Sequence, residues 1–402
     1  MVLLVVQLVL ALLTLNALRP PRNAYVGAVS SPFGMAVSEL APWFTALTVL
    51  DVVVHLLVQG PDGWGAPGWV GVGVAVLNVA GLLLLVRRSG RVAAATREAL
   101  APLGITVTPR QGRPGWVAPF AAPSLDLHTT KNLAYGDAPR KRNLLNLHLP
   151  EADAPGGGPR PVLLQIHGGT WMYGNKDQQG KPLLDAMVQR GWIGVSINYR
   201  LSPVDRWPAH IQDVKAAIAW VKEHIGSHGG DPDHVVLTGG SAGGHLSALA
   251  ALTPGDPAFQ PGFEDVDTSV AGCVPLYGVY DLAALSDLPT APGLMEFVGK
   301  RIFDKDPVAD HAEFVAASPL SRVTDTAPDF FVLHGEQDTT ADIGHSVALV
   351  EALRATSRRS VAWCPVPYAQ HMFDVFGSTR SDAVVDAVAA FLTHTHAERR
   401  AG

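Results

Sequence analysis

Ser241 stands in Gly239-Gly240-Ser241-Ala242-Gly243, a G-x-S-x-G pentapeptide. A hydroxyl on a glycine-flanked turn suits a serine nucleophile. Small neighbours tolerate a strained backbone, and a helix starting behind the serine favours developing negative charge. In a chain with 40 glycines the pentapeptide alone carries little weight, and its neighbours in the chemistry decide the matter. Asp338, in His334-Gly335-Glu336-Gln337-Asp338, and His371 follow in that order. Together they offer a hydroxyl, a carboxylate and an imidazole, the set required for nucleophilic acyl transfer. His371 would take the Ser241 proton and return it to the leaving alcohol. Asp338 would fix the imidazole tautomer and stabilise the imidazolium. A fourth piece, His167-Gly168-Gly169-Thr170-Trp171, closes a strongly apolar run. Backbone N–H groups of Gly168, Gly169 or Thr170, with that of Ala242, would bind the oxyanion, at about 2.7 to 4 kcal/mol per donor. The competing reading of that segment is a plain glycine turn.

Each role has competitors. Glu336 is an alternative acid, but it directly follows the glycine that ends its apolar run. His167 and His334 sit at the ends of such runs and read as structural, bonded to loop backbone. His245 falls on the helix behind Ser241, and His394 with His396 form a short pair near the end of the chain. No H-E-x-x-H or cysteine-rich spacing is present, so neither a metal nor another cofactor is expected.

Holding these residues requires elements that alternate. Residues 161–167, 192–199, 235–238, 270–277, 330–334 and 361–366 are short apolar runs that read as strands, with 143–149 as a further strand before them. Residues 183–190, 208–225, 243–252, 343–355 and 381–394 carry helical patterns between them. Such alternation predicts a mostly parallel sheet with crossover helices, one α/β domain over residues 125–396. Every candidate catalytic residue then follows a strand. Residues 278–320, with Leu294, Met295, Phe297 and Phe303, are either a cap over an acyl pocket or ordinary helix packing.

Ahead of that domain, residues 91–124 are rich in Pro, Gly and Ala, with Pro109, Pro114, Pro119 and Pro123 recurring too closely for regular structure, and read as a linker. Residues 1–90 hold three apolar runs, 1–18, 40–58 and 69–86, near the length that crosses a bilayer. A cleaved signal peptide is the rival reading of the first, but no Lys or Arg precedes Arg19. Asp51 in the second would cost about 2.5 to 3.5 kcal/mol at a helix centre. It shares a helix face with His55, so the pair is expected to bond to each other or to a neighbouring span. Arg19 and Arg22 follow the first run, and Arg87, Arg88, Arg91 and Arg97 follow the third, which places both clusters and the catalytic domain in the cytoplasm.

The hydrophobic fraction is 48% and the net charge is −6. With no basic tract beyond the juxtamembrane arginines, nucleic-acid binding is not expected, and those arginines suit anionic lipid headgroups. Cys273 and Cys364 are far apart and outside any C-x-x-C motif, which leaves redox compartment and oligomeric state open.

Over residues 130–395 the sequence resembles the hormone-sensitive-lipase-like branch of α/β-hydrolases and related bacterial esterases. The resemblance rests on the Ser, Asp, His order, the two glycine motifs, Asn198-Tyr199-Arg200-Leu201, Trp207-Pro208, and Asp213 in a helix carrying Trp220. It departs from that pattern at Thr170, where a third glycine is usual, and at Asn198 and Gly240, where aspartates are usual. The His-Gly-Gly-x-Trp form is similar instead to feruloyl-esterase-like and kynurenine-formamidase-like relatives. A membrane region ahead of such a domain resembles prenylcysteine methylesterases and actinobacterial Lip-type esterases. The resemblance implies an α/β-hydrolase fold behind an N-terminal transmembrane region, in a bacterial plasma membrane. The activity implied is hydrolysis of acyl or lipid-type esters by Ser241, Asp338 and His371. An amidase or arylformamidase with the same triad, and a non-catalytic membrane scaffold on the same fold, are the alternatives.

Overall fold

The apolar runs between residues 143 and 366 become adjacent strands of one sheet in the structure, a computed structural model. It describes all residues except 22, 61–63, 122–124, 126–127, 137–141, 152–153, 155–156, 287–291 and 402. Arg22 and Pro123 therefore lie outside the described residues. The strands are β1 (Thr129–Ala134), β2 (Leu144–His148), β3 (Arg160–Ile166), β4 (Ile193–Ile197), β5 (Gly230–Gly240), β6 (Gly272–Leu276), β7 (Asp329–Gly335) and β8 (Val361–Val366). Their order is β1-β2-β4-β3-β5-β6-β7-β8. β1 pairs antiparallel with β2, and β2 with β4, whereas the pairs from β4 to β8 are all parallel.

Strands β3 to β7 are buried on both faces, which is why they read as continuous apolar runs instead of alternating ones. β1, half-exposed and polar at the sheet edge, carries no such signal and was not among the expected strands. Two apolar layers cover the sheet. One contains α7 (Ala209–His224), α8 (Ala242–Leu252) and α11 (Gly344–Thr356). The other contains α6 (Lys181–Val188) and α12 (Thr379–Ala401). Cys273 and Cys364 are free and buried, one in each layer, and serve as small hydrophobes.

Residues 1–103 form a helical region. Its helices are α1 (Val2–Leu18), α2 (Ala24–Glu39), α3 (Ala41–Gln59), α4 (Gly65–Ser89) and α5 (Val92–Leu100). Among the described residues, α3 and the helical run Gly65–Leu103 are long and apolar enough to cross a membrane, whereas α1 is a shorter apolar helix of 17 residues, so two candidate spans stand where three were expected. Polar side chains join these helices. Gln7 donates to Asp51 at 2.7 Å, Asn78 donates to the Thr48 hydroxyl at 3.0 Å, and His55 Nδ1 lies 3.3 Å from Asp51. Asp51 thus meets both its helix neighbour and a second helix, as its position suggested.

Two segments differ from the expectation. The connection after α1 is a sixteen-residue helix, α2, with Pro32 inside it. The first part of the presumed linker is also helical: α5 packs on β8 and α12, with Val92, Leu100 and Ile105 in the core layer. Pro and Gly in the later part hid that earlier helix from a composition argument.

Candidate active site

Ser241 occupies the single residue between the central strand β5 and helix α8, with φ 58° and ψ −123°. That backbone is costly for any residue with a Cβ, and the surroundings hold it in place. The Ser241 N–H donates to the Leu276 carbonyl on β6 at 3.0 Å. A Cβ at Gly243 would stand 2.1 Å from the Ile166 carbonyl, and one at Gly239 2.5 Å from the same atom. The flanking glycines are thus required because helix α8 starts hard against β3.

Asp338 and His371 come from the loops after β7 and β8. His371 Nδ1 lies 2.6 Å from Asp338 Oδ2, with both side chains buried. Backbone N–H groups of Thr340 and Ala341 donate to Asp338 Oδ1 at 2.8 and 2.9 Å. His334 Nε2 approaches Asp338 Oδ2 at 3.3 Å. Burial alone would raise the Asp338 pKa, but His371 and His334, by charge and hydrogen bonding, hold it well below the usual carboxylate range. Glu336, the alternative acid, is exposed and instead accepts from the Tyr368 N–H at 3.2 Å. His334 is, as expected, bonded to loop backbone: its Nε2 meets the Ala341 carbonyl at 3.0 Å and its Nδ1 the Ser346 hydroxyl at 2.7 Å, beside Asp338.

The glycine loop after β3 runs through three successive positive φ values, 120° at Gly169, 52° at Thr170 and 58° at Trp171. A Cβ at Gly169 would stand 2.4 Å from the Tyr173 carbonyl. Thr170 adopts the left-handed backbone despite its β-branch. The Gly168 N–H donates to Gln179 Oε1 at 2.7 Å, which removes Gly168 from the expected oxyanion donors. The N–H groups of Gly169, Thr170 and Ala242 have no such partner among the described residues. Beneath the loop, the Trp171 indole N–H donates to His245 Nδ1 at 3.2 Å, and His245 Nε2 meets the Ala317 carbonyl at 2.8 Å. Burial lowers the His245 pKa to about 4, so the ring is neutral and its tautomer follows from those two bonds.

Ser241, Ala242, Thr170, Asp338 and His371 line one cavity of about 680 Å³. Its far walls are apolar: Val279, then Leu294 and Phe297 of α9 (Pro292–Val298), then Ala28 and Val29 of α2. Of the possible cap residues, Leu294 and Phe297 face the cavity, whereas Phe303 is core, stacked between Trp207 and Phe314. The sequence carried no sign of α2 here, because a wall built from a distant helix leaves no local pattern. Among the described residues no cluster of three or more His, Cys, Asp or Glu is placed to hold a metal.

The arrangement is that of an acyl-transfer site, with a hydroxyl, an oriented imidazole and backbone donors around one apolar cavity. Comparison with known proteins agrees. The family model described as BD-FAE matches residues 145–353. A probable carboxylic ester hydrolase, LipM of Mycobacterium tuberculosis, is 39% identical over 99% of this chain and 94% of its own length. Esterase LipQ of the same organism is 46% identical over 65% of this chain and 62% of its own. A truncated carbohydrate esterase from gut microbiota superposes with a TM-score of 0.57 at 27% identity, over 68% of this chain and 98% of that one. Fold, site geometry and relatives together make the chain a member of the BD-FAE family of α/β-hydrolases and a carboxylesterase related to the mycobacterial Lip enzymes.

Proposed function

We propose that this chain is a membrane-anchored carboxylesterase in which Ser241 attacks the ester carbonyl of an acyl or lipid-type substrate. The Ser241 proton passes to His371 Nε2, and the tetrahedral oxyanion is held by N–H groups of Gly169, Thr170 and Ala242. His371 then protonates the leaving alcohol. Water, deprotonated by the same imidazole, cleaves the acyl-serine and regenerates the hydroxyl. Asp338 stays ionised and stabilises the imidazolium. The observation that carries this reading is the 2.6 Å Asp338–His371 contact on the cavity that the Ser241 turn also lines.

The division of labour belongs to the proposal. Residues 1–90 anchor the enzyme, residues 91–124 join it with α5 packed into the catalytic core, and residues 125–396 carry out catalysis. The exposed apolar surface of α3 and α4, including Leu57, Val58, Val76 and Leu77, supports contact with lipid. Arg87 and Arg88 in the last turn of α4 support a cytoplasmic catalytic domain.

Hydrolysis of p-nitrophenyl esters by the detergent-purified full chain, with Ser241→Ala alongside, tests the chemistry. Activity confined to the wild type is expected, and equal rates in both would remove Ser241 from the mechanism. A periplasm-only reporter fused after Arg97 tests sidedness, with no signal expected.

A further inference from the structure

Helix α2 packs on the other N-terminal helices, with Asn16 of α1 donating to the Ser30 carbonyl at 2.9 Å, and on its other side it meets the loops that carry Asp338 and His371. A Cβ on Gly27 would stand 2.9 Å from Thr339 Cβ, so the helix backbone lies directly against the residue after Asp338. Thr339 Oγ1 donates to the Gly27 carbonyl at 3.1 Å. One turn further, Ser31 Oγ donates to Gln370 Oε1 at 3.1 Å. That same oxygen accepts from the Thr339 and His371 N–H groups, each at 3.3 Å. Gln370 therefore ties the acid loop, the base loop and α2 together. At the end of the helix, Glu39 pairs with Arg380, both fully buried, and accepts from Ser378 at 2.7 Å.

Held this way, α2 presents Ala28 and Val29 to the cavity that contains Ser241, opposite Leu294 and Phe297 of α9. Val26, Val29 and Phe33 fall on one face of the helix and are exposed, Val29 by 73% and Phe33 by 58%. They make an apolar stripe roughly 10 Å long, and Val29 in its middle lines the cavity. An acetyl group has no reach to that stripe, whereas a long acyl chain leaving Ser241 has an apolar path along it.

We infer that α2 is one wall of the acyl-binding pocket and that Val29 is a specificity-determining residue for long-chain esters. The substrate class that follows is esters of long aliphatic acids, and the inference rests on Ser241 being the nucleophile. A Trp at Val29 fills the space between α2 and α9 without touching the core, because the position is open to solvent.

The test compares kcat/KM for p-nitrophenyl decanoate and p-nitrophenyl acetate in the full chain, for wild type, Val29→Trp, the control Val308→Trp and Ser241→Ala. Val308, 86% exposed on a surface turn, lines no part of the cavity. The expected result is that the decanoate-to-acetate ratio falls about tenfold or more in Val29→Trp, the scale of a blocked apolar subsite, and stays at the wild-type value in Val308→Trp. A ratio unchanged within about twofold in Val29→Trp, or equal loss on both esters, would overturn the role of α2 while leaving the nucleophile intact. Activity surviving in Ser241→Ala would instead overturn the reading on which the inference stands.

Discussion

His334, at the end of β7, and Asp338, four residues later, bring Nε2 to 3.3 Å from Oδ2, the carboxylate oxygen that also meets His371. The same Nε2 meets the Ala341 carbonyl at 3.0 Å, so His334 braces the loop that carries Asp338, the proposed acid. His334→Phe is expected to keep the fold but loosen Asp338, lowering kcat by about tenfold or more with KM little changed. Asp338→Asn, which disturbs the imidazole tautomer, is expected to lower kcat by about 10⁴-fold. Steady-state kinetics on one ester separates the two, and equal losses would make His334 a full partner in the chemistry.

The glycine loop yields a second prediction. Gly169→Ala places a Cβ 2.4 Å from the Tyr173 carbonyl, at φ 120°, so the donors after it are displaced. Loss of about 10²–10³ in kcat is expected, the usual cost of one oxyanion donor. Thr170→Gly accepts φ 52° without strain and keeps its N–H, so it is expected to retain activity within a few-fold. A large loss in Thr170→Gly would show that the threonine hydroxyl itself takes part.

Glu39 and Arg380 form a pair with neither side chain exposed. Glu39→Gln leaves the guanidinium buried without its carboxylate, at a cost of about 3 to 5 kcal/mol. Thermal melting of the detergent-solubilised chain should fall by several degrees. Limited proteolysis should open the chain near α2 ahead of the catalytic domain. A melting curve identical to wild type would mean that the helix docks without this pair.

Acid should destabilise the fold in two stages. Burial lowers the pKa of His167, His245 and His345 to about 4 and of His210 and His234 to about 3. Each is depressed below its unfolded value, so its contribution is fully present above about pH 6.5 and is lost as pH falls towards those numbers. Asp338, also depressed, loses its contribution only below the ordinary carboxylate range. Melting temperature is expected to decline steadily from pH 7 to pH 4. His245 is the most exposed to consequence, because a proton on Nδ1 collides with the Trp171 indole N–H beside the oxyanion loop. A flat melting profile across that range would contradict the neutral, buried assignment.

Much of this was legible in the sequence where the signal was local. β3 to β7 announced themselves because strands buried on both faces are apolar without interruption, β8 carried a short apolar run although its burial alternates, and glycines marked the two turns where backbones touch. Asp338 could be preferred to Glu336 from position alone, and it is Asp338 that meets His371, at 2.6 Å. What escaped had its cause at a distance. Gly168 looked like an oxyanion donor until Gln179, eleven residues on, was seen to take its N–H. Helix α2 was hidden between two apolar runs, and its purpose depends on Thr339 and Gln370, more than three hundred residues later. β1, polar and at an edge, gave no periodic pattern to find.

The docking of α2 also bears on where this polypeptide can be divided. A fragment beginning at residue 92 would retain Ser241, Asp338 and His371, the proposed triad. It would nevertheless leave Thr339, Gln370 and Arg380 facing solvent where Gly27, Ser31 and Glu39 now stand. Such a piece would lack Ala28 and Val29 on its cavity, and its preferences would describe the fragment, not the whole chain. The border between the N-terminal helices and the hydrolase domain exists along the chain but not in space.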